Sequence, residues 1–588
     1  MKNFSVKNGI MAAIVASLGL LLLVACGNGD DDSEPSTSQP TAAPTAAPES
    51  AAVSPTASPA TSAPVMAEPV EPKIKRVIMA VTPPSSEFSA PRMGGQPQAF
   101  QVRPIYEYLI GIDAETGGFV PELATEWNLE PDGLSFRFKL REGVKWQRDF
   151  GEFTAEDVLF THEQFILEDS VHGQTTSYGE MVGSVEIVND YEVIFRLSRP
   201  AAEFITVMSA QQGNMGDQVS KAHHEAEGEP LNLDDSVVGT GPYQLLERQQ
   251  ERFLIFERVP YEHWKVTPDF QEFEYRWLAE ASTRLAALLA GEVHLASIPK
   301  DNVGTATNEG MLLVQGKVPG QRTFIRYYCC NFDSESQAWT NPDTPLMDIR
   351  VRKAFSKAVD RDQLNEAYFG GSAVPMYNAH QNPSREGWDP TWVTRFPDEY
   401  GYDPVAARAL LAEAGYGPNN PVEANLFVIR ETRGIPASLD LTEAVGGYMS
   451  DIGASVKLIS IERGGISPGT RNPPFEFNNH LNLDITSSDL FIAIRVKNSG
   501  TGQPNRLYGF ATPEMDDAYY RLISEVDDVK RNEIAREWGN LHYDLHASNP
   551  LFWVPAEIVV NPEFVSDYVW PGAFTGTWSH VHNIKAAT

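Results

Sequence analysis

Asp132-Gly133-Leu134-Ser135-Phe136-Arg137-Phe138-Lys139-Leu140, followed by Arg141-Glu142-Gly143-Val144 and then by Thr154-Ala155-Glu156-Asp157-Val158, is the stretch that decides the fold class. Asp-Gly is a turn signal. From Leu134 to Leu140 apolar and polar side chains alternate, which is the pattern of a half-buried strand. Thr154 is suited to cap a helix, and the acids at Glu156 and Asp157 favour its positive N-terminal end. A turn, a strand and a helix start thus follow one another closely, so the chain mixes both element types throughout.

The same grammar extends in both directions. Val185-Glu186-Ile187-Val188 and Glu192-Val193-Ile194-Phe195-Arg196-Leu197, around Asn189-Asp190, read as a hairpin. Residues 281–290 read as a helix stopped by Gly291. Asp403 serves as N-cap and Pro404 as the first helical residue. An apolar face through Ala407, Leu410 and Leu411 follows, and Gly415 ends the helix. At 588 residues the chain exceeds one compact core. The expectation is an α/β body of several lobes.

The first residues carry a different message. Lys2 and Lys7 precede an apolar run, Ile10 to Ala25, which closes Leu23-Val24-Ala25-Cys26-Gly27. A basic start, a short apolar stretch and small residues at a cut describe a signal peptide over 1–25. The run is shorter than the roughly 20 residues that span a bilayer. A cysteine just after the cut resembles a bacterial lipobox, which implies lipidation at Cys26. Residues 27–72 are acids, Ser, Thr, Ala and Pro, too poor in bulky side chains to form a core. Such a tether reaches about 35–40 Å as a coil and about 140 Å when extended. The formal net charge is −33, and Cys26 to Pro72 contains acids but no base. The acidic body disfavours nucleic acid and anionic headgroups as partners.

Cys329 and Cys330 are adjacent and are the only other cysteines. The expectation for them is two thiols on opposite faces of a strand, not a disulfide. The sequence contains no P-loop, no G-x-G-x-x-G and no nucleophile elbow. His162-Glu163 lacks a second zinc histidine, and His223-His224 and His580-Val581-His582 lack further obvious ligands. These absences do not exclude an enzyme, because triads are scattered along a sequence, but they leave no positive reason to propose one. The expectation is no enzyme, with no catalytic residues, no cofactor and no metal site.

Five segments, in order, resemble the family 5 extracellular solute-binding proteins, the receptors of peptide-type ABC importers for oligopeptides, dipeptides and nickel. The first runs from Tyr106-Glu107 through Pro121-Glu122-Leu123-Ala124 and Trp127 to the opening stretch above. The second is Val238-Gly239-Thr240-Gly241-Pro242-Tyr243 with Glu257-Arg258, Tyr261 and Trp264. The third is Arg284-Leu285 with Leu288 and Gly291-Glu292-Val293, after which His294 replaces the family's usual acid. The fourth is Asp348-Ile349-Arg350-Val351-Arg352-Lys353-Ala354-Phe355 with Ala358-Val359-Asp360-Arg361, and the fifth is Tyr402-Asp403-Pro404 with Ala414-Gly415-Tyr416. Gly239 and Gly241 suit tight backbone packing, and Arg350 and Arg352 suit packing or inter-lobe pairs.

The resemblance implies a two-lobed α/β periplasmic-binding-protein fold (type II, cluster C-like) with an extra subdomain on the first lobe. Its expected map is lobe I at 73–105, 200–325 and 546–588, the extra subdomain at 106–199 and lobe II at 326–545. It implies a monomer, lipid-anchored on the extracytoplasmic face of the bacterial membrane (periplasmic space or cell surface), that hands a short peptide to an ABC permease. Peptide binders of this family often pair the ligand's α-ammonium with a second-lobe aspartate. Asp484-Ile485-Thr486-Ser487-Ser488-Asp489-Leu490-Phe491 has the family's spacing, which points to Asp484 for the ammonium, with Asp489 and Phe491 beside it. Ser487-Ser488 replaces the usual Asp-Pro, and Leu481 the usual tryptophan. A non-peptide solute such as an oligosaccharide or metal chelate therefore stays open, as does an enzyme or adhesion protein on the same scaffold.

Overall fold

The opening stretch forms what its pattern predicts. Ser135–Leu140 is a strand with Phe136, Phe138 and Leu140 buried. Asp132 shapes the turn before it, its carboxylate accepting from the Leu134 amide at 2.8 Å and the Ser135 hydroxyl at 2.7 Å. Thr154 and Asp157 close a reciprocal capping box on the helix Ala155–Phe165. These coordinates are those of a computed structural model. It describes residues 71–84, 87–93, 100–172, 175–210, 216–317, 321–333, 336–429, 437–461, 479–486, 490–497, 509–569 and 580–587. The signal peptide, Cys26, most of the tether, Ser487, Ser488 and Asp489 lie outside the described residues. All that is described belongs to one compact unit, Glu68–Thr588.

Among the described residues, the three largest sheets organise this unit. The strand Ser135–Leu140 pairs antiparallel with Ala124–Leu129 and with Glu192–Leu197, and the hairpin to Val182–Asn189 completes a four-stranded sheet. A seven-stranded sheet is built on Arg76–Val81, which runs parallel to Glu272–Trp277 and to Leu295–Ala296. Met79, Phe256, Phe273 and Tyr275 fill its core. The helix Ala281–Leu289 flanks this sheet and stops at Gly291, whose φ of 72° suits glycine.

The glycine motif joins these two sheets. A Cβ on Gly239 would lie 2.1 Å from the Ile105 carbonyl oxygen, and one on Gly241 2.5 Å from that of Pro104. The Gly241 amide donates to the Ile105 carbonyl at 2.7 Å. Gln147, beside the four-stranded sheet, donates from Nε2 to the Gly241 and Tyr243 carbonyls, both at 2.9 Å. Only residues without a side chain permit this approach.

The third sheet has six strands, in the order Val374–Pro375, Ser548–Val554, Gln321–Tyr328, His480–Thr486, Glu423–Ile429 and Ser455–Ile461. Helices Ile349–Ala358, Pro404–Glu413 and Ser438–Asp451 pack beside it. Asp403 caps Pro404–Glu413 through the Val405 and Ala406 amides, as its sequence predicts. Leu411 joins the core, a burial worth roughly 1.5–3 kcal/mol. The expected lobe boundaries at 325 and 546 do not follow this sheet. Gln321–Ile325 and Ser548–Val554, mapped by sequence to the first lobe, belong to the six-stranded sheet because their pairing is continuous with it.

The cysteines depart from expectation, because Cys329 and Cys330 are joined as a disulfide, both fully buried. Gln321–Tyr328 pairs with its two antiparallel neighbours, whereas Cys330 pairs in parallel with Phe510. Cys329 sits in the break between these pairing frames, so the strict alternation of a continuous strand does not separate the sulfurs. Among the described residues no helix is long and apolar enough to cross a membrane.

Candidate ligand-binding site

The strand Gln321–Tyr328 is wholly buried yet carries two arginines. Alternation explains how. Ile325 and Tyr327 face the core of the second lobe, together with Leu481 and Leu483 of the neighbouring strand. Arg322, Phe324, Arg326 and Tyr328 take the opposite face. Across from them Phe324 faces Asp484, Arg326 faces Asn482 and Tyr328 faces His480. This second face is polar and aromatic.

Asp484 and Arg326 meet on it. Arg326 Nη1 lies 3.0 Å from Asp484 Oδ2, and the two side chains are 5% and 6% exposed. The guanidinium also donates to the Tyr328 hydroxyl. Its Cζ stands 4.3 Å from the centroid of the Tyr328 ring. His480 lies between aromatic neighbours, 4.7 Å from Tyr328 and 4.8 Å from Phe427. The geometry offers a fixed charge pair beside an aromatic surface.

Farther along the same strand Arg322 Nη1 donates to His380 Nδ1 at 2.6 Å. His380 therefore accepts on Nδ1 and is a neutral imidazole. His542 lies 5.0 Å from the His380 ring and stacks on Trp538 at 5.1 Å. Burial, with Arg322 adding to it, pushes the His542 imidazole down to about 3. These groups make a second polar nucleus on uncharged histidines.

The other sequence-predicted residues are placed differently. Phe491 is half-buried in the helix Leu490–Lys497 and packs against the second-lobe core. Asp489 lies outside the described residues. Arg352 is buried and donates to the Leu346, Met347, Leu545 and His546 carbonyls, while Arg350 is exposed and pairs with Asp348. His294 accepts from the Ile78 amide at 2.9 Å. Burial, with Arg276 adding to it, pushes this imidazole down to about 4.

Sequence reasoning missed Arg326, although a charged residue inside Phe324-Ile325-Arg326-Tyr327-Tyr328 was itself a signal. It also missed a buried charged cluster outside the six-stranded sheet. There Lys265 pairs with Glu122 at 2.5 Å, and Trp264 donates to Glu107 at 3.0 Å. Arg103 approaches Asp217 at 4.0 Å, yet burial pushes that carboxyl up to about 7.

Comparison with known proteins agrees with this architecture. Residues 118–493 match the family model described as bacterial extracellular solute-binding proteins, family 5 Middle. The chain is 26% identical over 382 residues to the dipeptide-binding protein of Escherichia coli (strain K12), covering 61% of this chain and 67% of that protein. It is 27% identical over 341 residues to heme-binding protein A of Haemophilus influenzae, covering 54% and 57% of the two chains. The crystal structure of a dipeptide-binding protein from Pseudoalteromonas sp. SM9913 in complex with Met-Leu superposes with a TM-score of 0.70 at 19% identity. That superposition covers 87% of this chain and 100% of that one, and it supports the two-lobed α/β fold. The family match spans more than half of the chain, and the chain belongs to the family 5 bacterial extracellular solute-binding proteins.

Proposed function

We propose that this protein is an extracytoplasmic receptor that captures a short peptide between its two lobes and delivers it to an ABC permease. The single observation that carries this reading is the family match over 118–493, which includes the strand bearing Asp484. The relationship to a dipeptide-binding protein supports peptide as the solute class. On this reading Asp484 supplies the negative charge of the site, and lobe closure over the solute is the state the permease reads. Lipid at Cys26 would keep the receptor near its permease, and the tether would raise its local concentration there.

A non-peptide solute is the second reading. It is favoured by the similarity to a heme-binding protein and by Leu481, which is buried in the core rather than presented to a ligand. Native mass spectrometry of solute retained through purification separates the two readings, together with thermal-shift screening of di- to pentapeptides. A retained peptide and stabilisation by library members are the expected results. A full peptide library that produces no shift refutes the peptide reading.

A further inference from the structure

We propose that Arg326 is a specificity-determining residue that holds the Asp484 carboxylate as a built-in counter-ion, so that solute recognition does not depend on a free α-ammonium. This inference rests on the reading of the Asp484 face as the solute site. The sequence pattern assigns Asp484 to a ligand ammonium, and an ammonium needs a carboxylate whose charge is available. Here that charge is met within the protein, at 3.0 Å from Arg326 Nη1.

The guanidinium is not a loose placeholder. It is fixed by Asp484, by the Tyr328 hydroxyl and by stacking over the Tyr328 ring, and its side chain is 5% exposed. Adjacent strand pairing fixes both ends of the pair, since Arg326 and Asp484 sit on neighbouring antiparallel strands in one register. A ligand ammonium could reach Asp484 in only two ways. It could displace Arg326, which costs the buried guanidinium its 3.0 Å contact with Asp484. Or it could enter beside the guanidinium, which adds a second cation next to the one already held at the Asp484 carboxylate. Both penalise a free amine relative to a neutral, N-blocked or non-amino solute, which is specificity by a repulsive element. The class of solute favoured at this position is therefore uncharged at the end that meets Asp484.

The test uses the full chain and two probes, an equimolar tripeptide library and the same library N-acetylated. Titrations are run on the native protein and on Arg326→Met, which exposes the Asp484 charge. The native protein should bind the N-acetylated library at least as tightly as the free-amine library. Arg326→Met should prefer the free-amine library by at least tenfold. A preference of the native protein for the free-amine library overturns the inference, because an ammonium then reaches Asp484 despite Arg326. If neither library binds, the peptide reading fails instead, and a double-mutant cycle of Arg326→Met with Asp484→Asn in the solute-free protein still decides the role of Arg326. Coupling of at least fivefold in the unfolding equilibrium supports the built-in counter-ion, and coupling below twofold overturns it.

Discussion

Arg352→Met is the most informative perturbation of the second lobe. Arg352 donates to four backbone carbonyls, at 2.6 Å to Leu346, 3.0 Å to Met347, 2.8 Å to Leu545 and 3.2 Å to His546. Leu545 is the C-cap of the helix Asp528–Asp544, so the cation ties the end of that helix to the start of Ile349–Ala358. Burial lowers the guanidinium to about 10. Set against its ordinary value near 12.5, that corresponds to a desolvation cost of about 3 kcal/mol, which methionine would relieve. The opposing loss is larger. Each buried carbonyl left without a donor costs about 1–3 kcal/mol, toward the lower end for the half-buried Met347 and Leu545. The net expectation is a destabilisation of about 3 kcal/mol. In urea unfolding followed by tryptophan fluorescence, with Trp392 and Trp538 fully buried in this lobe, the midpoint should fall by roughly 0.5–1 M, since the urea slope grows with the size of the unfolding unit. Arg352→Lys should recover less than half of it, because one ammonium cannot span four carbonyls. A midpoint for Arg352→Met within about 0.3 M of the native value would refute the reasoning.

Three further outcomes follow from other parts of the molecule. Gly239→Ala places a Cβ 2.1 Å from the Ile105 oxygen. It should destabilise by about 1–3 kcal/mol or more, and an unchanged melting temperature would show that this approach relaxes freely. His294 and His542 are held down to about 4 and about 3. Between those values and the ordinary imidazole value near 6.5 the unfolded chain binds protons that the folded chain does not. Their contribution is therefore complete above about pH 6.5 and is lost as pH falls, by about 1.4 kcal/mol per unit for each histidine. Urea unfolding at pH 7 and pH 5 should show this loss, and equal stability at both would contradict it. Cys26→Ser should move the protein from the membrane to the soluble fraction and abolish labelling by a fatty-acid probe, whereas retention at the membrane would remove the lipid anchor from the proposed function.

What the sequence determined alone is local. The turn at Asp132-Gly133, the alternation of Leu134–Leu140, the capping box at Thr154 and Asp157, and the Asp403 cap are all settled by residues within a few positions of one another. The glycines at 239 and 241 announced close packing, though not that Pro104 and Ile105 would be the partners. Tertiary structure decided the rest, because it depends on which strands become neighbours. Arg326 finds Asp484 only when Gln321–Tyr328 and His480–Thr486 pair in a particular register. Ser548–Val554 joins the six-stranded sheet instead of the seven-stranded one for the same reason. The change of pairing partner after Tyr328 brings Cys329 and Cys330 together where a continuous strand would have held them apart. Caps and alternation act through a few backbone groups, whereas charge pairing and sheet order act between segments remote along the chain.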